Sequence, residues 1–332
     1  MVTVVDVAKK AGVSVATVSR VLNSNYLVTK EKKDKVLKAI QELGYVPKTT
    51  VRSEKNNEKK VIVVLAAAII HDIIAGIQDF GVQHGYEIMI SYHASETKSS
   101  QPWSFLPKEQ LGGLIILNML FNERELQEIC DTVPVVQCSQ YTSISNAYAV
   151  TVDDENAAYQ AISHLIGTGK RNIAFVGMGT EEGEGYISTN FSKDRFIGYR
   201  RALEDNGITY NPDLVKYSDN SYDSGAQSAI ELLEQKIPFD GVFCVTDNLA
   251  VACLNTFKEA GFSIPEDIAV CGFDNQEISE MTNPKLTTVD QPFYEIGYES
   301  MRMLESILKG EISTGRRVLI EHKLIKRGST VS

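Results

Sequence analysis

The stretch from Thr3 to Asn23, TVVDVAKKAGVSVATVSRVLN, leaves its backbone few ways to fold. Val4, Val7, Ala8 and Ala11 recur at helical spacing, so one face of a first segment can be buried while Asp6, Lys9 and Lys10 stay in water. Gly12 is the residue best able to leave that helix through a left-handed turn. Ser14 then offers a side-chain oxygen to the backbone N–H groups of a second helix, running through Val15, Val18, Val21 and Leu22. Two short helices joined by a glycine turn form the unit that enters a DNA major groove. A third helix is expected after a loop, with Thr29 as cap, Val36, Leu37, Ile40 and Leu43 as its apolar stripe and Gly44 as its stop.

Charge supports this reading independently. Residues 1–60 hold 13 Lys+Arg against 6 Asp+Glu, a net of +7, whereas the remainder holds 20 against 37, a net of −17. The formal total of −10 therefore conceals a basic head on an acidic body, the asymmetry expected when one part must meet phosphates.

At 332 residues the chain has room for more than one domain. No basic segment followed by an apolar one precedes the first helix, so a cytoplasmic location is expected. The most apolar run, Val61 to Ile74, is too short for a bilayer and contains His71 and Asp72, which argues against membrane association. Cysteines 130, 138, 244, 253 and 271 form no CxxC pair and sit in apolar segments, as reduced core thiols would. The five histidines show no HxxxH spacing, and neither a metal nor any other cofactor is expected.

Between Pro47 and Lys60, KTTVRSEKNNEKK is nearly free of large apolar groups and reads as a linker. Beyond it, short apolar runs alternate with helical patterns: VIVVLA, EIMISY, GLIILNM, PVVQC, NIAFVG, GVFCVT and IAVCGF. This is an α/β rhythm with parallel sheets. Helices are expected at roughly residues 72–84, 155–167, 194–206, 222–235, 248–260 and 294–309. Two strand-and-helix sets, before and after about Thr151, suggest two similar lobes.

In parallel α/β lobes, ligands bind in the crevice outside the carboxyl ends of the strands. Asp247 follows GVFCVT and Asp274 follows IAVCGF, so both carboxylates are expected to point there and accept from sugar hydroxyls, while a guanidinium such as Arg195 can donate to ligand oxygens. Plainer roles stand beside these. Asp247 could cap the helix beginning at Asn248, Asp274 could form an Asx-turn with Asn275, and Arg195 could be a solvated charge. Phe293 is an aromatic platform for a sugar face or a core residue, and Asn156 and Asp153 lie where they could reach the ligand or the hinge.

The opening motif, with a capped third helix ending in LGYVP, resembles the DNA-binding head of the LacI/GalR family nearly position by position. TDNLAVACLNTFKEAGFSIPEDIAVCGFDNQEISEMTNPKLTTVDQP, HLIGTGKRNIAFVG and RFIGYRRAL resemble its C-terminal lobe, and residues 61–150 match more loosely. The resemblance implies a three-helix head and hinge over residues 1–57, followed by a two-lobed, periplasmic-binding-protein-like core over 61–332. Because the lobes are joined by several crossovers, the N-lobe is expected at about 61–152 and 291–318 and the C-lobe at about 153–290 and 319–332. Arg195, Asp247 and Asp274 match effector-binding positions of the family. Val15 and Ala16 fall at its specificity positions, where apolar side chains can favour thymine methyl groups. Thr17, Arg20 and Asn23 are placed for further polar contacts, and Thr3, Ser14, Ser19 and Thr29 for phosphates.

Three departures qualify the resemblance. The AAAIIHDII loop after the first core strand is more apolar than usual in the family; Asn220 stands where an aromatic commonly follows Asp219; and Glu54 stands where a hinge leucine would wedge into the minor groove. A carboxylate cannot act as an apolar wedge. The expectation is a homodimeric transcription regulator, most readily a repressor of a carbohydrate-use operon, that reads operator DNA in the major groove and is released by a small sugar-like effector. A catabolite-type regulator with a phosphoprotein corepressor is the alternative. An enzyme is disfavoured because no nucleophile and base pair or phosphate loop stands out.

Overall fold

The structure, a computed structural model, describes residues 4–22, 30–43, 61–93, 110–119, 121–142, 144, 147–180, 186–187, 190–313 and 315–331. The chain divides into two compact units, Met1–Glu58 and Lys59–Ser332.

The first unit contains helices α1 (Val4–Ala11), α2 (Val15–Leu22) and α3 (Lys30–Leu43). Val7, Ala8 and Ala11 from α1, Val18 and Val21 from α2, and Val36 and Ala39 from α3 form its buried core, with Val13 and Leu43 at the margin. Ala39 thus belongs to the α3 stripe. Gly12 turns the chain with φ +62°, a left-handed conformation that a side chain would oppose. The expected cap, stop and linker roles of Thr29, Gly44 and residues 47–60 lie outside the described residues.

The second unit contains strands β1 (Val61–Ala66), β2 (Glu87–Tyr92), β3 (Leu111–Leu117), β4 (Val135–Cys138), β5 (Tyr148–Val152), β6 (Ile173–Thr180), β7 (Tyr186–Ile187), β8 (Val215–Ser218), β9 (Gly241–Cys244), β10 (Ala269–Asp274), β11 (Thr287–Asp290), β12 (Arg317–Ile320) and β13 (Lys323–Ile325). Its helices are α4 (His71–Gln83), α5 (Glu123–Cys130), α6 (Asp154–Gly167), α7 (Asn190–Asp205), α8 (Tyr222–Glu234), α9 (Asp247–Glu259), α10 (Ile278–Met281) and α11 (Phe293–Leu308). One sheet has the order β12-β5-β4-β3-β1-β2 and the other β13-β11-β10-β9-β6-β7, with β8 also paired to β6. The first is parallel throughout; the second is parallel except for β7 and β13, which run antiparallel at its margins.

The interleaved order follows from three chain passages between sheets: after β5, after β11 and between β12 and β13. Within the first sheet the period-two alternation is visible in the packing. Ile62, Val64, Ile115 and Leu117 meet Ile73, Ile77 and Phe80 of α4 and Ile296, Met301 and Leu304 of α11. Val61, Val63, Leu65, Leu114 and Ile116 face the other way, onto Leu126 and Ile129 of α5. Both faces are covered, which is why these strands read as continuous apolar runs. At about 1.5 to 3 kcal/mol for each fully buried large apolar side chain, this covering dominates the fold's favourable energetics.

The four buried cysteines Cys138, Cys244, Cys253 and Cys271 and the half-buried Cys130 are free thiols. Burial pushes the Cys138 thiol up to about 12 and the Cys130 thiol up to about 11, as core residues rather than nucleophiles. Among the described residues no cluster of His, Cys, Asp and Glu could hold a metal ion, and no helix is long and apolar enough to cross a membrane.

Candidate functional site

In the head, the Ser14 hydroxyl caps α2 by accepting from the Thr17 N–H at 3.2 Å, and its oxygen lies 2.9 Å from the Thr17 hydroxyl. This frames the start of the second helix while Val18 and Val21 anchor its inner face. Val15 is 41% exposed at its outer face, so it is spare for contact rather than part of the core. Ala16, Ser19 and Arg20 lie on the described α2 backbone, but their side chains, together with Thr3, Asn23, Thr29 and Glu54, lie outside the described residues.

In the core, the chemistry gathers at the carboxyl ends of β6, β9 and β10. Phe175 of β6 pairs in register with Phe243 of β9, and Phe243 lies edge-on to Phe273 of β10 at 6.4 Å, making an aromatic floor. The Arg195 guanidinium, carried by α7, lies 3.4 Å from the centroid of the Phe273 ring and 4.7 Å from that of Phe191. Its Nε and Nη2 both donate to Oδ1 of Asp154, at 2.9 and 2.8 Å, and Nη1 donates to the Val245 carbonyl. Nη1 also stands 3.9 Å from Oδ1 of Asp274. Arg195 and Asp154 are each only 3% exposed. A solvated role for Arg195 is therefore excluded.

Asp274 is the last residue of β10 and adopts φ +116°. Its Oδ1 accepts from Gln291 Nε2 at 2.7 Å and its Oδ2 from Gln276 Nε2 at 3.3 Å. Asn275 instead donates to Asp290, at 2.8 Å, so the Asx-turn reading of Asp274 gives way to a network spanning the second passage between sheets. Burial raises the Asp274 carboxyl to about 6, against the opposing pull of Arg195. Burial likewise raises Asp154 above the usual carboxylate range.

Asp247 departs from its expected capping role. Thr246, not Asp247, caps α9, accepting from the Leu249 N–H at 3.4 Å. The Asp247 side chain is fully buried beneath the strand ends, with Oδ1 accepting from the Thr288 hydroxyl at 2.6 Å and Oδ2 from the Gln276 N–H at 2.8 Å. Gly272 leaves it this space, because a Cβ there would stand 2.3 Å from Oδ1. Burial, then the nearby Asp274, push its carboxyl well upward. Adjacency to a strand end said nothing about which way the side chain would turn.

Phe293, the first residue of α11, is half-buried against the main core. Asn156 sits in the first turn of α6, where its N–H donates to the capping carboxylate of Asp153 at 3.1 Å. Asn220 has φ +70°, a conformation asparagine tolerates better than an aromatic does, and accepts from the Thr246 hydroxyl at 2.6 Å. Between the sheets, Tyr141 after β4 donates to Asp194 of α7 at 2.7 Å, and the Arg317 guanidinium lies 3.6 Å from the Tyr141 ring centroid. Asp154, Gln276, Gln291 and Tyr141 are the participants that sequence reasoning missed. The run Asp153-Asp154, placed just after β5, was the one available signal.

Residues 3–48 match the family model described as bacterial regulatory proteins, lacI family, and residues 162–330 match a periplasmic binding protein-like domain. Catabolite control protein A of Priestia megaterium is 33% identical over 335 residues, covering 99% of each chain. The chain belongs to the LacI family. This regulator also resembles a lac repressor dimer solved with operator and the anti-inducer ONPF, at TM-score 0.77 and 26% identity over 100% of this chain and 99% of that one. A transcriptional regulator CelR–cellobiose complex matches at TM-score 0.73 and 29% identity over 99% of this chain and 100% of that one. It is therefore a DNA-binding transcriptional regulator and not an enzyme.

Proposed function

We propose that this regulator represses a carbohydrate-use operon in the cytoplasm by binding a pseudo-palindromic operator as a homodimer. A small sugar or sugar derivative releases it. The observation that carries the effector half is the Arg195–Asp154–Asp274 group at the strand ends, where a guanidinium and carboxylates stand beside an aromatic floor. Asp274, 8% exposed, is the group placed to accept from a ligand hydroxyl; Asp247 acts beneath it as a support. Phe293 and Asn156 border the passages between sheets and would meet a ligand only at its edge. The solved relative holding cellobiose supports a sugar-like ligand.

The DNA half rests on the exposed Val15 at the start of α2, with Ala16, Thr17, Arg20 and Asn23 completing base readout and Thr3, Ser14, Ser19 and Thr29 binding phosphates. Glu54 in the hinge would leave the central operator step unkinked. A dimer is needed because a single head buries too little for useful specificity. The exposed apolar side chains Met89, Ile90 and Tyr92 on the edge strand β2 suit a second copy of the chain. Effector acts by preferring one lobe arrangement over another. A thermal-shift screen of sugars, sugar phosphates and nucleosides, followed by operator titration with each hit, tests the reading. A ligand that raises the melting point and weakens operator binding is expected; operator affinity indifferent to every hit would refute it.

A further inference from the structure

We infer that Asp154 sets the charge preference of the crevice: by neutralising Arg195 it excludes anionic effectors and leaves uncharged or cationic polyhydroxy ligands. This rests on the reading that the crevice holds a small effector, and it adds which chemical class can enter.

An isolated buried guanidinium at the strand ends would be a ready site for a phosphate or carboxylate. Here that charge is already met within the protein. Nε and Nη2 both contact one oxygen of Asp154, and Asp274 faces Nη1. A second guanidinium, that of Arg317, lies over Tyr141 and donates to the Thr151 hydroxyl at 2.9 Å and the Val152 carbonyl at 3.2 Å, while Asp194 accepts from Tyr141. Among the described residues of this network, the carboxylates Asp154, Asp194, Asp247, Asp274 and Asp290 outnumber the guanidinium groups Arg195, Arg317 and Arg327, the last of which is also paired with Glu280. An entering anion meets net negative charge at low dielectric. A neutral hydroxyl still finds an acceptor in Asp274 and N–H groups on Arg195, each of whose Nη atoms carries two hydrogens. Asp154 is therefore a positioning residue for Arg195 and a specificity determinant for the ligand.

The test compares the full chain with its Asp154→Asn variant, which keeps shape and removes one charge. Inorganic phosphate, glucose 6-phosphate, glucose and glucosamine are titrated at matched ionic strength, with binding read by calorimetry and by the melting of the core. The wild type is expected to ignore phosphate and glucose 6-phosphate, and the variant to bind phosphate at least tenfold more tightly. A merely structural role for Asp154 would lower the melting point of the variant without creating phosphate affinity. Should Asp154→Asn lose its cooperative melt, Asp154→Ser makes the same comparison. Wild type that binds glucose 6-phosphate as well as glucose, or a folded variant with no gain for phosphate, would overturn the proposal. Failure of the effector reading looks different: no neutral sugar would shift melting or operator affinity, whatever the variant does with phosphate.

Discussion

At their carboxyl ends the two sheets present unlike walls. On the first, the β1–α4 connection, Ala67-Ala68-Ile69-Ile70, has no polar side chain, leaves Ile69 41% exposed, and opens α4 without a side-chain cap. On the second, Arg195, Asp154, Asp274, Gln276 and Gln291 are bonded to one another within a few residues of the strand ends. An apolar wall can shape and desolvate a ligand, whereas a polar network fixes its orientation. A sugar bound as proposed would therefore be selected by the second lobe and enclosed by the first.

The largest effect that bears on this asymmetry is expected from Arg195→Ala. It leaves Asp154 and Asp274 buried without their cation, which costs about 3 to 5 kcal/mol in the denaturant unfolding of the core. A loss no greater than that of a surface substitution would show that the network is not the second wall's foundation. Thr288→Val removes the hydroxyl that donates to Asp247 while keeping its volume, at a cost of about 1 to 3 kcal/mol by the same measurement.

Acidity provides the next comparison. The Asp274 carboxyl is raised to about 6 in the folded protein from an ordinary value of 3.8, so between these two pH values the native state binds more protons than the unfolded one. Stability contributed by this group therefore increases as pH falls from about 6 toward 4, and its cost is fully present above 6. Asp274→Asn should flatten that part of the pH–stability profile, and affinity for a hydroxyl-donating sugar should fall in the wild type as pH drops through about 6. Equal pH profiles for the two proteins would remove Asp274 from the account.

Smaller effects concern the join between the walls and the head. Tyr141→Phe deletes the hydrogen bond to Asp194, with an expected loss of about 0.5 to 1.5 kcal/mol in core stability and weaker binding of any ligand that prefers the closed crevice. Unchanged hydrogen exchange around Tyr141 and α7 would show that this bond does not tie the lobes. Val15→Thr should move melting by no more than about 0.5 kcal/mol, since Val15 is exposed, yet alter operator preference in a selection from random sites.

The elements legible in advance were those with strong local periodicity. The helices expected at 155–167 and 222–235 appear as Asp154–Gly167 and Tyr222–Glu234. What local periodicity did not mark was short or mixed: α5 spans only Glu123–Cys130, and β12 and β13 mix exposed and half-buried residues at sheet margins, where no continuous apolar run marks a strand. The site was legible as residue types at strand ends and illegible as a network. Asp154 lies 41 residues before Arg195, and only the folded chain brings them together. The choice of Thr246 over Asp247 as cap freed the carboxylate to turn downward, a competition that spacing alone does not decide.

Operator binding by the full chain can be followed by fluorescence anisotropy during titration with the neutral sugar that most raises core melting. Release is expected in the wild type and its loss in Asp274→Asn, with operator affinity in the absence of sugar equal for both. An operator affinity unmoved by the bound sugar, or released equally well in the variant, would contradict a regulator whose second lobe does the selecting.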